Sequence, residues 1–334
     1  MKRFGRCVVA LAGFLVLYNL SISFSFAASD GALMHYKPQP RPLKYNLSIT
    51  TKSQASALFN PGPLDEQEDV ISISQRSEKA GVGLLDLTLT VEGINRELEK
   101  PNARELYLTP RGGSGYKRKD ILGNTGHTLI NLLGGVKEAR GIPHFGSVYF
   151  HSESLVGPPL GIYPILTMIH PQFPLKLLKE GDAWEVNDEI EIGSAEAIPI
   201  GGLGTLKHEL SMTVKREMVY TLIGYVEKGR RKTAHIGFKG TFSMEGEMIT
   251  ESGGDFIEGT GRSSGEFYFV PAEGLLVEAL IKSEVNEEIS KHGNVVHWFN
   301  PDVGMGVFFG QRTAPITWLT QRDLHFVLVD KGGG

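Results

Sequence analysis

Apolar residues recur at every second position in run after run of this chain, the period of a strand with one face on a core and the other in water. Tyr45, Leu47 and Ile49 alternate with polar residues, as do Leu85, Leu87, Leu89 and Val91. Leu210, Met212 and Val214 repeat the pattern, followed by Ala234, Ile236 and Phe238, by Phe242 and Met244, and near the C-terminus by Leu324, Phe326 and Leu328. Val226–Thr233 separates two such runs and reads as a hairpin tip, with Gly229 to supply positive φ. The 41 glycines and 17 prolines show no triplet period and mark many turns between short strands. Helices are expected to be few and short, the best candidate being Thr128–Leu133. The fold class is therefore mainly β.

Comparison of the chain with itself points to an internal duplication. Leu43–Lys52 and Leu206–Lys215 agree in register at Leu, Lys, Leu, Ser, Thr and Lys, an offset of 163. Glu105, Tyr107, Pro110 and Gly113 then correspond to Glu266, Tyr268, Pro271 and Gly274, and Val91-Glu-Gly pairs loosely with Met244-Glu-Gly. The expected architecture is two related antiparallel β-units, curved sheets or half-barrels, over residues 36–154 and 200–330.

The N-terminus has the layout of a secretory signal. Lys2, Arg3 and Arg6 precede an uncharged apolar stretch from Val8 to Leu20, and Ser25 and Ala27 stand at the −3 and −1 positions before Ala28. Residues 1–27 are expected to be removed, giving a periplasmic or extracellular protein; the other reading is a retained anchor, since the charge-free run is long enough to span a bilayer. Cleavage takes away three of the 34 Lys and Arg residues against 38 Asp and Glu, so the net charge moves from −4 to −7. No basic footprint for nucleic acid remains, and no integral membrane span is expected after cleavage. The single cysteine, Cys7, lies within the signal, so the exported chain has neither disulfides nor a thiol nucleophile.

Between the two units, residues 155–199 begin with a stretch of different composition. Leu155 to Leu175 contains five prolines and no Asp, Glu, Lys or Arg. The prolines exclude a membrane helix. An apolar connector of this kind either packs as a brace between the units or forms the lid or wall of a hydrophobic groove. Leu160, Ile162, Tyr163, Ile165, Met168 and Phe173 are its candidate ligand-binding residues.

The remaining motifs have plain readings beside their functional ones. Gly261-Arg-Ser-Ser-Gly265 matches the nucleophile-elbow pattern, but a strand-like Glu266-Phe-Tyr-Phe-Val follows it where an elbow needs a helix, so Ser263 reads as a loop residue. Arg111–Gly115 lacks the lysine and helix of a phosphate loop. The pairs His144 with His151 and His292 with His297 do not have metal-ligand spacing, and neither metal nor cofactor is expected. His208 and His235 fall at outward strand positions. Lys117–Lys119 and Arg230–Lys232 are solvated loop tips or contacts for anionic lipid headgroups or polysaccharide. Trp184, Trp298 and Trp318 are too dispersed for a carbohydrate platform.

Phe173-Pro-Leu-Lys-Leu-Leu-Lys-Glu-Gly-Asp-Ala-Trp184, Tyr220–Glu227 and Gly265–Val277 together resemble a pattern in uncharacterised exported bacterial β-proteins. The resemblance covers about a third of the chain and implies turn and core roles, with no catalytic residue to carry over. The expected curved antiparallel sheet also resembles the periplasmic lipoprotein-carrier fold, an unclosed barrel that shelters acyl chains. Together these readings lead to a non-enzymatic exported envelope protein that binds a lipid-like or other hydrophobic ligand. A structural or interaction protein of the envelope with a protein partner is the alternative, and a hydrolase built on Ser263 is the third.

Overall fold

The computed structural model describes residues 31–57, 60–61, 65–95, 122–123, 125–140, 167–200, 204–250, 253–292, 295–296, 309–310 and 316–329. Eleven strands among them form one ring: β1 (Leu43–Ala57), β2 (Asp65–Gly81), β3 (Leu84–Asn95), β4 (Thr125–Asn131), β5 (Val136–Arg140), β6 (Ala183–Ile200), β7 (Gly204–Lys228), β8 (Arg231–Thr250), β9 (Gly253–Val270), β10 (Leu275–His292) and β11 (Ile316–Leu328). Each strand pairs with the next in sequence. The ring closes where β11 meets β1, from Leu328 opposite Tyr45 to Thr317 opposite Ser56.

The structure corrects the expected pair of half-barrels. Separate units would each leave two unpaired edges, and closure of β11 on β1 and of β5 on β6 removes them. The two matching blocks lie on β1 and β7 and put Leu47, Ile49, Leu210 and Met212 on the inward face, but the two strands run in opposite directions around one ring. The partner block at Glu105–Gly113 lies outside the described residues. No helix occurs among the described residues either: Thr128–Leu133 is the end of β4 and a turn. That turn is fixed by Asn131, whose Oδ1 accepts from the amides of Leu133 and Gly135, both at 2.9 Å. Gly134 has φ 88° and lies against the Pro171 carbonyl and the Tyr36 ring, so a side chain there would be strained and would clash.

An odd ring of alternating strands must contain a parallel pair, and here it is β5 with β6, with Ala139 opposite Ile192. Both run from the end that carries the β2–β3, β4–β5, β7–β8 and β9–β10 turns, the closed end. The chain must therefore return to that end between them. Its described part, residues 167–178, descends inside the ring. Thr167 lies beside the inward side chain of Arg216, the Gln172 carbonyl accepts from Trp184 Nε1 at 2.7 Å, and the Phe173 amide donates to the Leu133 carbonyl at 2.7 Å. Leu178 ends the descent by pairing with Ala32. The Phe173–Trp184 motif is where this segment turns into β6. Asp182 Oδ2 accepts from the Lys179 amide, Gly181 has φ 84°, and Trp184 stacks on Tyr220 at 5.5 Å.

Alternation holds nearly everywhere. On β7, Leu210, Met212, Val214, Met218, Tyr220 and Leu222 point inward and are buried, while Glu209, Ser211, Lys215 and Glu217 point outward. The outward positions of β8 to β10 carry Lys239, Thr241, Ser243, Glu245, Glu258, Arg262, Lys282, Glu284 and Glu288. Among the described residues no helix is long and apolar enough to cross a membrane. The expectation of no integral span is nevertheless corrected, because it considered helices alone. The structure is a closed β-barrel, the other architecture with which a chain can cross a bilayer, since each strand of the ring is paired on both sides.

The Gly261–Gly265 motif belongs to an inward stripe of small residues on β9, comprising Gly259, Gly261, Ser263 and Gly265. Neighbouring side chains lie flat over it: Met244 over Gly259, Phe242 over Gly261 and Phe238 over Gly265. The missing Cβ atoms leave the space that these side chains occupy. A Cβ at position 265 would also meet the backbone carbonyl of Leu280, whereas one at outward Gly193 would meet nothing. Gly265→Ala should therefore lower the stability by about 1 to 3 kcal/mol. Gly193→Ala should change it by less than about 0.5 kcal/mol. Urea unfolding of the two variants checks the difference.

Candidate functional site

The inside of the ring is the part of the fold with the most unusual chemistry. Near the closed end it is aromatic. Phe173 from the descending segment lies 4.7 Å from Phe269 and 6.4 Å from Trp184, Tyr36 lies 5.1 Å from Phe269, and Tyr220, Phe238 and Phe267 continue the cluster. Two segments, 31–40 and 167–178, plug this end, joined by a hydrogen bond from Tyr36 Oη to the Pro171 carbonyl at 3.2 Å. Of the six candidate ligand-binding residues, Met168 and Phe173 are in this plug, 0% and 3% exposed. They fill the lumen. Leu160, Ile162, Tyr163 and Ile165 lie outside the described residues.

Above the aromatic cluster the inward face carries a polar belt that the hydrophobic pattern left unremarked. Arg216 on β7 faces its cross-strand partner Asp188 on β6 in a two-pronged pair, Nε to Oδ1 at 2.8 Å and Nη2 to Oδ2 at 2.6 Å, and its Nη1 donates to the Thr167 carbonyl at 3.1 Å. The descending segment is thus tied to the wall by a buried cation. Across the ring Arg322 and Glu287 are also buried. Burial brings the Arg322 guanidinium down to about 10, with the Glu287 carboxylate acting in the opposite sense. Ser263, Ser283 and Thr320 complete the belt, their hydroxyls enclosed and without a hydrogen-bond partner among the described residues. The signal for the belt is present in the sequence: Asp188, Arg216, Glu287 and Arg322 each take an inward place in a strand whose other inward places are mostly apolar.

This geometry also locates the other candidates. Ser263 is 4% exposed in the middle of a strand paired on both sides, and among the described residues its hydroxyl has no hydrogen-bond partner. His235 faces outward and meets Glu266 at 3.0 Å. Trp184 and Trp318 are core residues. His144, His151, His297, Trp298, Arg111–Gly115 and Lys117–Lys119 lie outside the described residues, as do the side chains of His208 and His292 and the whole N-terminal segment. Among the described residues no three His, Cys, Asp or Glu side chains are arranged to hold a metal ion. A groove crosses from β6 through β11 to β1. It is lined by Lys52, Lys239, Arg262, Lys282 and Arg322, by the carboxylates of Glu185, Glu217, Glu284 and Asp323, and by Ser263 and Ser283 of the polar belt.

No protein-family model matches the chain, and no curated protein matches it. Among solved structures it is similar to OmpT, an outer membrane protein of Vibrio cholerae in its trimer form, at 10% identity over 86% of this chain and 99% of that one, with a TM-score of 0.19. A loop L8 deletion mutant of the same protein gives 10% identity, coverage of 85% and 98%, and a TM-score of 0.14. Scores this low do not establish a shared fold, and no conclusion about this chain follows from them.

Two measurements probe the interior. Asp188→Asn leaves the Arg216 charge buried with only a neutral partner and should cost about 3 kcal/mol in urea unfolding. The apolar pair Arg216→Met with Asp188→Leu should recover most of that loss. Separately, burial takes His170 down to about 4 from an ordinary value of 6.5. The folded protein therefore holds His170 neutral where the unfolded chain protonates it, so its contribution is full above pH 6.5 and is lost as pH falls from 6.5 toward 4. The loss should approach about 1.4 kcal/mol per pH unit within that window. The stability difference between wild type and His170→Leu should carry this slope.

Proposed function

We propose that this protein is a non-enzymatic exported protein of the cell envelope that acts as a structural or interaction module through its outer surface, with a protein partner. The observation that carries this reading is the occupied lumen. Met168, Ile169 and Phe173 of the protein's own chain fill the space near the closed end that a hydrophobic ligand would take. Export is supported by the basic, apolar and small-residue succession of residues 2–27. A non-enzymatic role is supported by the setting of Ser263, enclosed in mid-strand without a base at its hydroxyl among the described residues. The outward face offers instead a broad polar surface with interspersed charges of both signs.

A second reading, a carrier of a lipid-like or other hydrophobic ligand, draws on one observation. Above the polar belt the inward faces remain apolar, with Leu210, Met212, Val214, Ile257 and Ile289. Native mass spectrometry with lipid extraction, on the exported chain purified gently from an expressing bacterium, separates the two. The interaction reading predicts the mass of the polypeptide alone. A stoichiometric acyl-bearing adduct would overturn it in favour of the carrier.

A further inference from the structure

The closed end of the barrel exposes apolar side chains that the core does not need. Val82 at the tip of the β2–β3 turn is fully exposed, Leu175 is 81% exposed and Leu177 59%, and Leu33 and Leu132 are also exposed. The segments that carry them are joined through the backbone. The Leu132 amide donates to the Gly83 carbonyl beside Val82, the Leu132 carbonyl accepts from the Tyr36 amide, and Leu33 stands directly opposite Leu177 in the short pairing of Ala32–Leu33 with Leu177–Leu178. Exposed apolar residues thus stand on two turns of the wall and on both plug segments at this end.

Cations surround these residues, with the carboxylates of Glu78, Glu180 and Asp182 among them. Lys176 and Lys179 flank Leu177 within the plug, Lys79 stands three residues before Val82, Arg41 follows the other plug segment, and Arg230 tips the neighbouring β7–β8 turn. None of these five side chains has an ion pair among the described residues, unlike Arg231 and Lys228, which are held by Glu273 and Glu278. Carboxylates stand on the wall away from this end. Glu245, Glu258 and Glu288 stand directly opposite one another on β8, β9 and β10, toward the far end of the wall. Five cations without an ion pair among the described residues thus stand around these exposed apolar residues, and a row of carboxylates lies away from them.

We infer that the closed end docks on an anionic phospholipid surface, with Val82, Leu175 and Leu177 entering the headgroup region and Lys79, Lys176 and Lys179 meeting the lipid phosphates. The apolar residues protrude singly from turns instead of lining a groove. A bilayer interface accepts such points without shape complementarity, whereas a protein partner would need a matching surface. Lysines beside them add attraction to anionic lipid, and the distant carboxylate row favours the orientation that keeps it away from the surface. This inference does not rest on the lumen reading above, and it holds for either occupant of the lumen.

The test is co-sedimentation of the exported chain with vesicles of phosphatidylcholine alone and of phosphatidylcholine mixed with phosphatidylglycerol, at low and at high salt. Binding is expected to the mixed vesicles only, weakening with salt. Lys176→Glu with Lys179→Glu should weaken it at least about tenfold, and Leu175→Ser with Leu177→Ser should also weaken it. Both pairs are exposed, and unchanged urea unfolding would show that folding is intact. Lys239→Glu with Lys282→Glu, on the wall, should leave binding unchanged. Equal loss from the wall pair, equal binding to both kinds of vesicle, or binding to neither would overturn the inference, the last pointing to a protein partner for this end.

Discussion

The descent of residues 167–178 through the inside of the ring is the constraint on which the rest of the structure depends. Eleven strands cannot alternate in direction around a closed circle, so two neighbours must be parallel, and the chain must travel the height of the barrel between them. It makes part of that journey inside. By doing so it supplies the bulk that a ring of this width needs, since wall side chains alone fill a barrel of about eight strands. Apolar composition and repeated prolines suit the task. Met168, Ile169 and Phe173 bury fully, and Pro171 and Pro174 remove two backbone donors from a segment that pairs with no neighbouring strand until it reaches Leu177.

Such a segment must still be held in register, and here the polar belt has a structural role. Arg216 is fixed by two contacts to Asp188 and spends its remaining reach on the Thr167 carbonyl, the first described atom of the descent. At the other end Gly134, Tyr36 and Trp184 grip Pro171, Gln172 and Phe173. A buried ion pair of this kind contributes little net stability but is costly to break, which makes it a device for specifying one arrangement. The same economy explains the glycine stripe on β9, where the wall gives up side chains so that those of β8 can turn along it.

Much of the wall was legible in the sequence. Every alternating run identified there is a strand with the predicted face inward, and Gly229 does occupy its hairpin tip with positive φ. The inward charges were legible too, as Asp188 and Arg216 interrupting apolar series, although their meaning depended on a segment they touch only in three dimensions. Closure, the parallel pair and the path of residues 167–178 were not legible, because each is a contact between parts of the chain far apart in sequence. The connector's composition left two alternatives, a brace or a groove wall, and its described portion braces the interior of one ring. The duplication suggested two units since β1 and β7 share a pattern, but a pattern records which face is buried and not which neighbour a strand will choose.

The claim on which this account turns is that the connector lies inside the barrel. Nuclear Overhauser spectroscopy on protein with labelled phenylalanine rings tests it directly, since Phe173 and Phe269 have ring centroids 4.7 Å apart. The account predicts a strong contact between these two rings and a weaker one from Phe173 to Trp184. Absence of both contacts, with Phe173 ring signals at solvent-exposed shifts, would place the segment outside the barrel and contradict the account.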